Sequence, residues 1–402
     1  MTARSRLRLV AACSVAVTAV SACGGVSTGG GDGDGDESSI TTMGFGLPDE
    51  IASVRVETFE EESGVTVDVV EGGFDEQQFL SAVASDNPPD VVYLDRNIIG
   101  TYARRGAIQP LDDCIEQAGI DMDDYRDAAV DQVTIDGSVY GIPEFYSVRV
   151  VIANDSVLQE AGVSLEQVAS GDWEQVAAAN AAMSVVAGSD VQRIGYDPKL
   201  PEFLPLWARA NGAQLLSDDG RTAMLDDPKV VEALEFAASL VEASGGWTSF
   251  SAFRESWDFF GEENQYAADQ LGAMPMEDWY VNQLAEVGTD GIAVAPFRDR
   301  EGQPLTYATG QAWAVPKGAG NPEAACEFAA TMTAADTWVK AARARAEALR
   351  AEGGAYTGTY TGNEVADEQI FSEVYEPVDD PALAEAVETI LSVQDAAFSL
   401  PP

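Results

Sequence analysis

From residue 40 onward, short β-branched runs alternate with helical stripes, and that rhythm predicts the fold. Ile40 to Phe45 reads as a strand. Gly44-Phe45-Gly46-Leu47-Pro48 is a turn. Asp49 then stands where it caps a helix whose stripe includes Ile51, Val54 and Phe59, and Ser63-Gly64 ends that helix. Val65 to Val70 is a β-branched strand and Phe79 to Ala84 a helix, and Pro88-Pro89-Asp90 leads into a strand at Val91-Val92-Tyr93-Leu94. Strand, helix, strand, helix, strand implies α/β architecture, with a parallel sheet and helices on its faces. A second region, about 150 to 309, repeats the alternation with more helix. There Asp227-Pro228 opens a helix whose stripe includes Val231, Leu234, Phe236, Leu240 and Val241, ended by Gly245-Gly246, and Gly291 to Pro296 is a strand. Gly310 to Pro316 reads as a strand running into a helix that starts at Asn321-Pro322. Ligands of open α/β sheets bind beyond the carboxyl ends of strands. Phe45 and Gly46, Asp95 and Arg96, Tyr146 and Ser147, and Thr309 and Gln311 occupy such positions.

The segment before residue 40 follows a different logic. Arg4, Arg6 and Arg8 precede an apolar run from Leu9 to Val20, and Val20-Ser21-Ala22-Cys23 follows. A basic start, a short apolar core and small residues make residues 1–22 a secretory signal, too short for a permanent span. The small residues before Cys23 resemble the bacterial lipobox, which implies acylation of Cys23 and a membrane contact through the lipid anchor only. Residues 23–39 continue as a Gly/Ser/Asp tether that cannot bury enough surface to fold. Asp32, Asp34 and Asp36 are spaced like the opening of a calcium loop, but Met43 falls where the closing Glu belongs, so they read as an anionic spacer.

Charge and chemistry narrow the function classes. The chain of 402 residues carries 22 Lys+Arg against 68 Asp+Glu, a formal charge of −46. Loss of residues 1–22, with three arginines and no acid, takes this to −49. Such a surface excludes nucleic acid and anionic headgroups as partners. Histidine is absent, which removes Ser-His-Asp and Cys-His nucleophilic machinery and most catalytic zinc sites, so no catalytic residue, metal or cofactor is assigned. With Cys13 in the signal and Cys23 lipidated, Cys114 and Cys326 remain. An oxidising compartment favours one disulfide between them; two buried free thiols are the alternative.

Several segments, in order, resemble the carbohydrate-binding branch of the ABC-transporter extracellular solute-binding proteins, the family that includes maltose-binding protein. Pro88 to Arg96 (PPDVVYLDR) is similar to its P-D-apolar strand with an acidic end, and Tyr102 to Asp112 (YARRGAIQPLD) to A-x-x-G-x-(L/I)-x-P-L-D. Tyr140-Gly141-Ile142-Pro143 with Asn154 resembles the G-I-P…Y-N segment that leads into the first crossing between lobes. Ala273-Met274…Trp279 resembles A-M…G-x-W, and Gly310 to Lys317 with Asn321 to Ala325 resembles G-x-x-x-A-(I/V)-P-K…N-P-E-A-A. The chain departs from the pattern at Ala153, where Tyr is usual, and at Gln311, often Trp. The resemblance implies a type II two-lobed periplasmic-binding-protein-like fold that closes on a ligand between lobes. Lobe I would comprise residues 40–146 and 310–350, lobe II 147–309 and 351–402, and Cys114 and Cys326 would share a lobe. It also implies an extracytoplasmic, monomeric, non-enzymatic sugar receptor that hands its ligand to an ABC permease.

A sugar site needs planar side chains for C–H faces and two-headed polar groups for hydroxyls, because an unmatched buried polar group costs roughly 1–3 kcal/mol. Trp279 stands where the family places a stacking platform, beside Asp278; the alternative is a core tryptophan. Asp95 at its strand end accepts from hydroxyls and Arg96 donates, against the alternatives of a helix cap and a surface charge. Thr309 and Gln311 flank the second crossing, Glu144 and Tyr146 the first, and Phe45 follows the first strand. Trp257, in an aromatic and acidic stretch, is a further candidate, whereas Trp207 reads as core. A receptor for a compatible solute, which would use an aromatic cage for a quaternary amine, is the alternative ligand class. A secreted two-carboxylate glycoside hydrolase is the rival from another class.

Overall fold

The computed structural model describes residues 38–217 and 221–400. The expected signal, Cys23 and most of the tether lie outside the described residues. Two five-stranded sheets organise the rest. In the first, Thr66–Glu71, Ser39–Phe45 and Val91–Asp95 run parallel in that order. Gln311–Ala314 joins antiparallel to Val91–Asp95, and Ile142–Pro143 closes the edge antiparallel to it. The period-2 alternation of a strand sends neighbours to opposite faces. Val91 and Trp313 meet Phe59 and Phe328 on one face, while Val92, Leu94 and Ala314 meet Phe79, Ile99 and Tyr102 on the other. Asp49 caps the helix Glu50–Ser63 as expected, accepting from the Ala52 N–H at 3.2 Å.

The second sheet runs Ile292–Pro296, Arg149–Asn154, Leu271–Glu277, Asp190–Tyr196, Val185–Ala187. Its second strand is buried at every position and antiparallel to both neighbours. Val151 and Ala153 pack on the side of Trp173, Phe203 and Trp207; Val150 and Ile152 pack on the side of Phe250, Tyr280 and Ile390. Both sheets are therefore mixed rather than purely parallel: the first takes in Gln311–Ala314 from late in the chain, and the second has Arg149–Asn154 antiparallel to both of its neighbours. The predicted stripe of the helix Pro228–Ala243 also needs correction. Val230, Ala233, Ala237, Leu240 and Val241 face the core, whereas Val231 and Leu234 are exposed. Two of the inward positions are alanines, too weakly apolar to outweigh the larger residues on the outer face.

Three segments pass between the sheets. Residues 144–148 and 308–310 run antiparallel, with Ser147 and Thr309 exchanging backbone hydrogen bonds of 2.9 and 3.0 Å. A third segment, residues 355–361, lies beside them through a bridge between Phe145 and Thr361. Beyond it, Glu364–Glu373 packs with Ala335–Glu352 and Ile51, whereas Pro381–Val393 packs on the second sheet.

Cys114 and Cys326 are bonded to each other, the first of the two alternatives left open by composition. The bond ties the helix Asp112–Ala118 to Pro322–Thr333 across a sequence separation of 212 residues. Replacing both cysteines by serine is expected to cost about 2–5 kcal/mol in urea unfolding; an unchanged midpoint would show that the link adds nothing to the fold.

Candidate functional site

The carboxyl ends of strands from both sheets point into one cleft of about 900 Å³. The first sheet contributes Phe45, Glu71, Tyr93 and Asp95, with Gln311 from the returning strand. The second contributes Glu277, Asp278 and Trp279, where the strand Leu271–Glu277 turns into the helix Trp279–Glu286. Tyr146, Ser147 and Thr309 from two crossings and Tyr356 to Tyr360 from the third form the floor.

The floor is held by a buried cation. Arg96 is fully buried. Its Nη2 donates to the Thr309 carbonyl at 2.5 Å, its Nη1 to the Gln311 carbonyl at 3.1 Å and to that of Phe145, and its Nε to Gln132 Oε1 at 3.0 Å. Gln132 in turn donates to the Ala308 carbonyl at 3.1 Å. Both crossings thus converge on one guanidinium, whose pKa burial lowers to about 10, leaving it charged at neutral pH. Gly310, at φ 142°, passes so close that a Cβ there would fall on the Phe145 carbonyl oxygen and on Arg96 Nη1. Arg149, the first residue of its strand, braces the other side. It donates to the Tyr307 carbonyl at 2.8 Å, to Thr309 Oγ1 at 2.7 Å and to Glu277 at 2.9 Å.

Of the ten expected ligand-binding residues, seven line the cleft: Phe45, Asp95, Tyr146, Asp278, Trp279, Thr309 and Gln311. Trp279 is 40% exposed there, stacked at 15° with the 61% exposed Phe260 outside the cleft lining. Phe45 is largely covered, edge-on to Tyr93 and Trp313 at 5.5 and 4.9 Å. Asp95 occupies the cap position of the next helix without capping it, and accepts from Gln311 Nε2 at 3.0 Å instead. Asp278 is buried; its Oδ1 accepts from Ser147 Oγ at 2.6 Å and from the Trp279 N–H at 3.0 Å. Its Oδ2 has no hydrogen-bond partner among the described residues. Burial pushes this carboxyl up to about 7, against the opposing pull of the Ser147 hydrogen bond and the Arg149 charge.

Three expected residues lie elsewhere. Arg96 is neither a surface charge nor a cleft-lining donor, because every nitrogen serves the crossings. Glu144 is sealed beneath the cleft in an ion pair with Arg55 at 2.7 Å, and burial raises its pKa. Trp257 packs beside Phe253 against the second core and does not line the cleft. Trp207 is core as read, its Nε1 donating to the Pro198 carbonyl at 2.9 Å. Sequence reasoning missed Tyr93, Tyr307, Asn282 and the Tyr356–Tyr360 segment. Tyr93 sits two residues before Asp95 on the same strand, and the run Tyr-Thr-Gly-Thr-Tyr is itself an unusual composition for a loop.

The model of the bacterial extracellular solute-binding protein family matches residues 55–348. The chain belongs to that family. Among relatives, the diacetylchitobiose binding protein DasA of Streptomyces coelicolor is 26% identical over 166 residues, 39% of this chain. The match spans only 38% of that relative's length. Among solved structures, CpMnBP1 with mannotriose bound superposes with a TM-score of 0.71 at 18% identity over 90% of both chains. The sugar-binding protein MalE from Xanthomonas citri gives 0.67 at 18% identity, over 90% of this chain and 87% of that one. These likenesses establish the two-lobed α/β fold of solute-binding proteins.

Two outcomes test the site's construction. Arg96→Met removes charged hydrogen bonds worth roughly 1.5–3 kcal/mol each, so a loss of about 3 kcal/mol or more is expected in denaturant unfolding; a smaller loss would show that the crossings hold without it. Asp278 binds its proton more tightly when folded, so its contribution is greatest below its unfolded pKa and is lost as pH rises through about 7. Between about pH 4 and 7 the Asp278→Asn variant should therefore gain on the wild type by up to about 1.4 kcal/mol per pH unit in relative stability. Parallel Tm-against-pH curves would contradict this.

Proposed function

We propose that this protein is an extracytoplasmic sugar receptor, anchored through Cys23, that binds an oligosaccharide reversibly and delivers it to an ABC importer without chemical change. One observation carries the reading: a cleft of about 900 Å³ whose walls combine flat rings with paired polar groups. Its volume lies in the usual range for small-molecule sites. Trp279, 40% exposed, and the half-buried Tyr93 offer aromatic surface, which contributes on the order of 25 cal/mol per Å² of apolar area covered. Asp95 with Gln311, Asn282 with Thr357, and Ser147 with Asp278 are coupled polar pairs of the kind that match vicinal hydroxyls. The family membership and the diacetylchitobiose-binding relative support the same reading. No pair of carboxylates is assigned a catalytic role.

The mechanism follows from where these groups sit. Phe45, Asp95 and Gln311 belong to one sheet, Asp278 and Trp279 to the other, so a ligand touching both sets is held only when the walls approach. The segments between the sheets absorb that approach, and the permease would recognise the closed form.

A thermal-shift screen across mono- and oligosaccharides is the test. A ligand at 100 times its Kd stabilises the folded protein by about 2.7 kcal/mol. A sugar that raises Tm and is recovered intact after long incubation supports the receptor; released product would establish a hydrolase, and silence across the panel would reject a sugar ligand. For a sugar that binds, Trp279→Ala is expected to weaken affinity at least tenfold by calorimetry while moving the unliganded Tm little, because the ring is already 40% exposed. Equal affinity would remove Trp279 from the site.

A further inference from the structure

The charges around the cleft are lopsided in a way that bears on which hydroxylated ligand enters it. Seven carboxylates line it: Asp49, Glu71, Asp95, Glu202, Glu277, Asp278 and Glu286. Three arginines line it, and each is already committed. Arg55 donates to Glu144 and to the Ile51 and Met332 carbonyls. Arg149 pairs with Glu277, and Arg345 lies between Glu50 and Glu286 at 3.1 and 2.5 Å. Lys199, 3.5 Å from Glu202, does not line the cleft. An anionic ligand would find no uncommitted cation. Asp49, Glu71, Asp95 and Asp278, by contrast, form no ion pair among the described residues. Three of these stand on the wall of the first sheet. The fourth, Asp278, is buried on the opposite wall with Oδ2 unpartnered. Because the lining arginines are committed, the unpaired carboxylates set the sign of the cleft's field, which concentrates cations.

We infer that the cleft selects a hydroxylated ligand carrying a protonated amine, an amino sugar or its oligomer, with the ammonium seated at Asp278 Oδ2 and the field of Asp49, Glu71 and Asp95 favouring it. The inference deepens the sugar-receptor reading and rests on it. Around Asp278 stand Arg149 and Glu277 from the strands, Tyr360 from the third crossing, and the Ser147 hydroxyl. A bound ammonium favours the charged carboxylate, so binding below pH 7 releases a proton from Asp278.

The test uses two matched sets: glucose, glucosamine and N-acetylglucosamine; and cellobiose, its fully deacetylated chitosan counterpart and N,N′-diacetylchitobiose. Calorimetry at pH 6, in two buffers of different ionisation heat, is expected to give the amine forms at least tenfold tighter binding than their neutral partners, with proton release. That preference should shrink in high salt and in Asp278→Asn, and partly in Asp95→Asn, whose exposed side chain makes misfolding no explanation. Neutral forms binding as well as the amines would overturn the inference while leaving the receptor reading intact. An amine preference that survives both substitutions would overturn the seat at Asp278. Silence from both sets would overturn the inference, and the wider sugar panel then decides the receptor reading separately.

Discussion

A buried guanidinium with no carboxylate partner among the described residues ties two of the crossings together, and the cleft is built over its hydrogen bonds. Strand-like segments that leave a sheet expose carbonyls that must find donors elsewhere. Arg96 supplies them to Phe145 on one crossing and to Thr309 and Gln311 on and just beyond the other. It does so as a fixed cation whose ring neighbour, Tyr146, lies 5.7 Å away. Removing charge here would leave several buried acceptors unmatched at once, which costs far more than losing a surface ion pair. Gly310 follows from the same packing: the guanidinium and the Phe145 carbonyl occupy the space a side chain would need.

Because backbone carbonyls of the floor are already satisfied by Arg96 and Arg149, recognition is left to side chains, most of them on the two walls. Each wall is made of strand ends, so each presents residues whose backbone is anchored deep in a separate core. The polar groups on the walls are coupled to one another before any ligand arrives, as Asp95 is with Gln311, and this limits the rotamer freedom that binding must remove.

Much of this was legible in the order of residues, and the failures have identifiable causes. The strand and helix rhythm from Ile40 to Leu94 matches the observed elements to within a few residues, because β-branched runs and the Asp49 cap are strong local signals. Strand-end positions led to Phe45 and Asp95 at the cleft; Thr309 and Gln311 line it too, but Gln311 opens its strand rather than following one, because that strand runs antiparallel to its neighbour. Arg96 and Glu144 were misplaced for a shared reason. Their neighbours, Gln132, Phe145 and Thr309 for one and Arg55 for the other, are distant in sequence, and a buried charge cannot be told from an exposed one until those partners are known. Trp257 was misplaced because aromatic composition marks surface and core alike. The helix Pro228–Ala243 misled because alanines face the core while larger residues face outward.

The interleaving of the two sheets also constrains the sequence of events as the chain emerges during export. All five strands of the second sheet lie between residues 149 and 296, so that sheet has all its strands before Gln311–Ala314 is available. Until then the strand Val91–Asp95 presents an unpaired edge bearing Val91, Val92 and Leu94, the kind of surface that templates aggregation. A first sheet waiting for its late strand leaves that edge open, and a formal charge of −46 opposes the approach of two such copies.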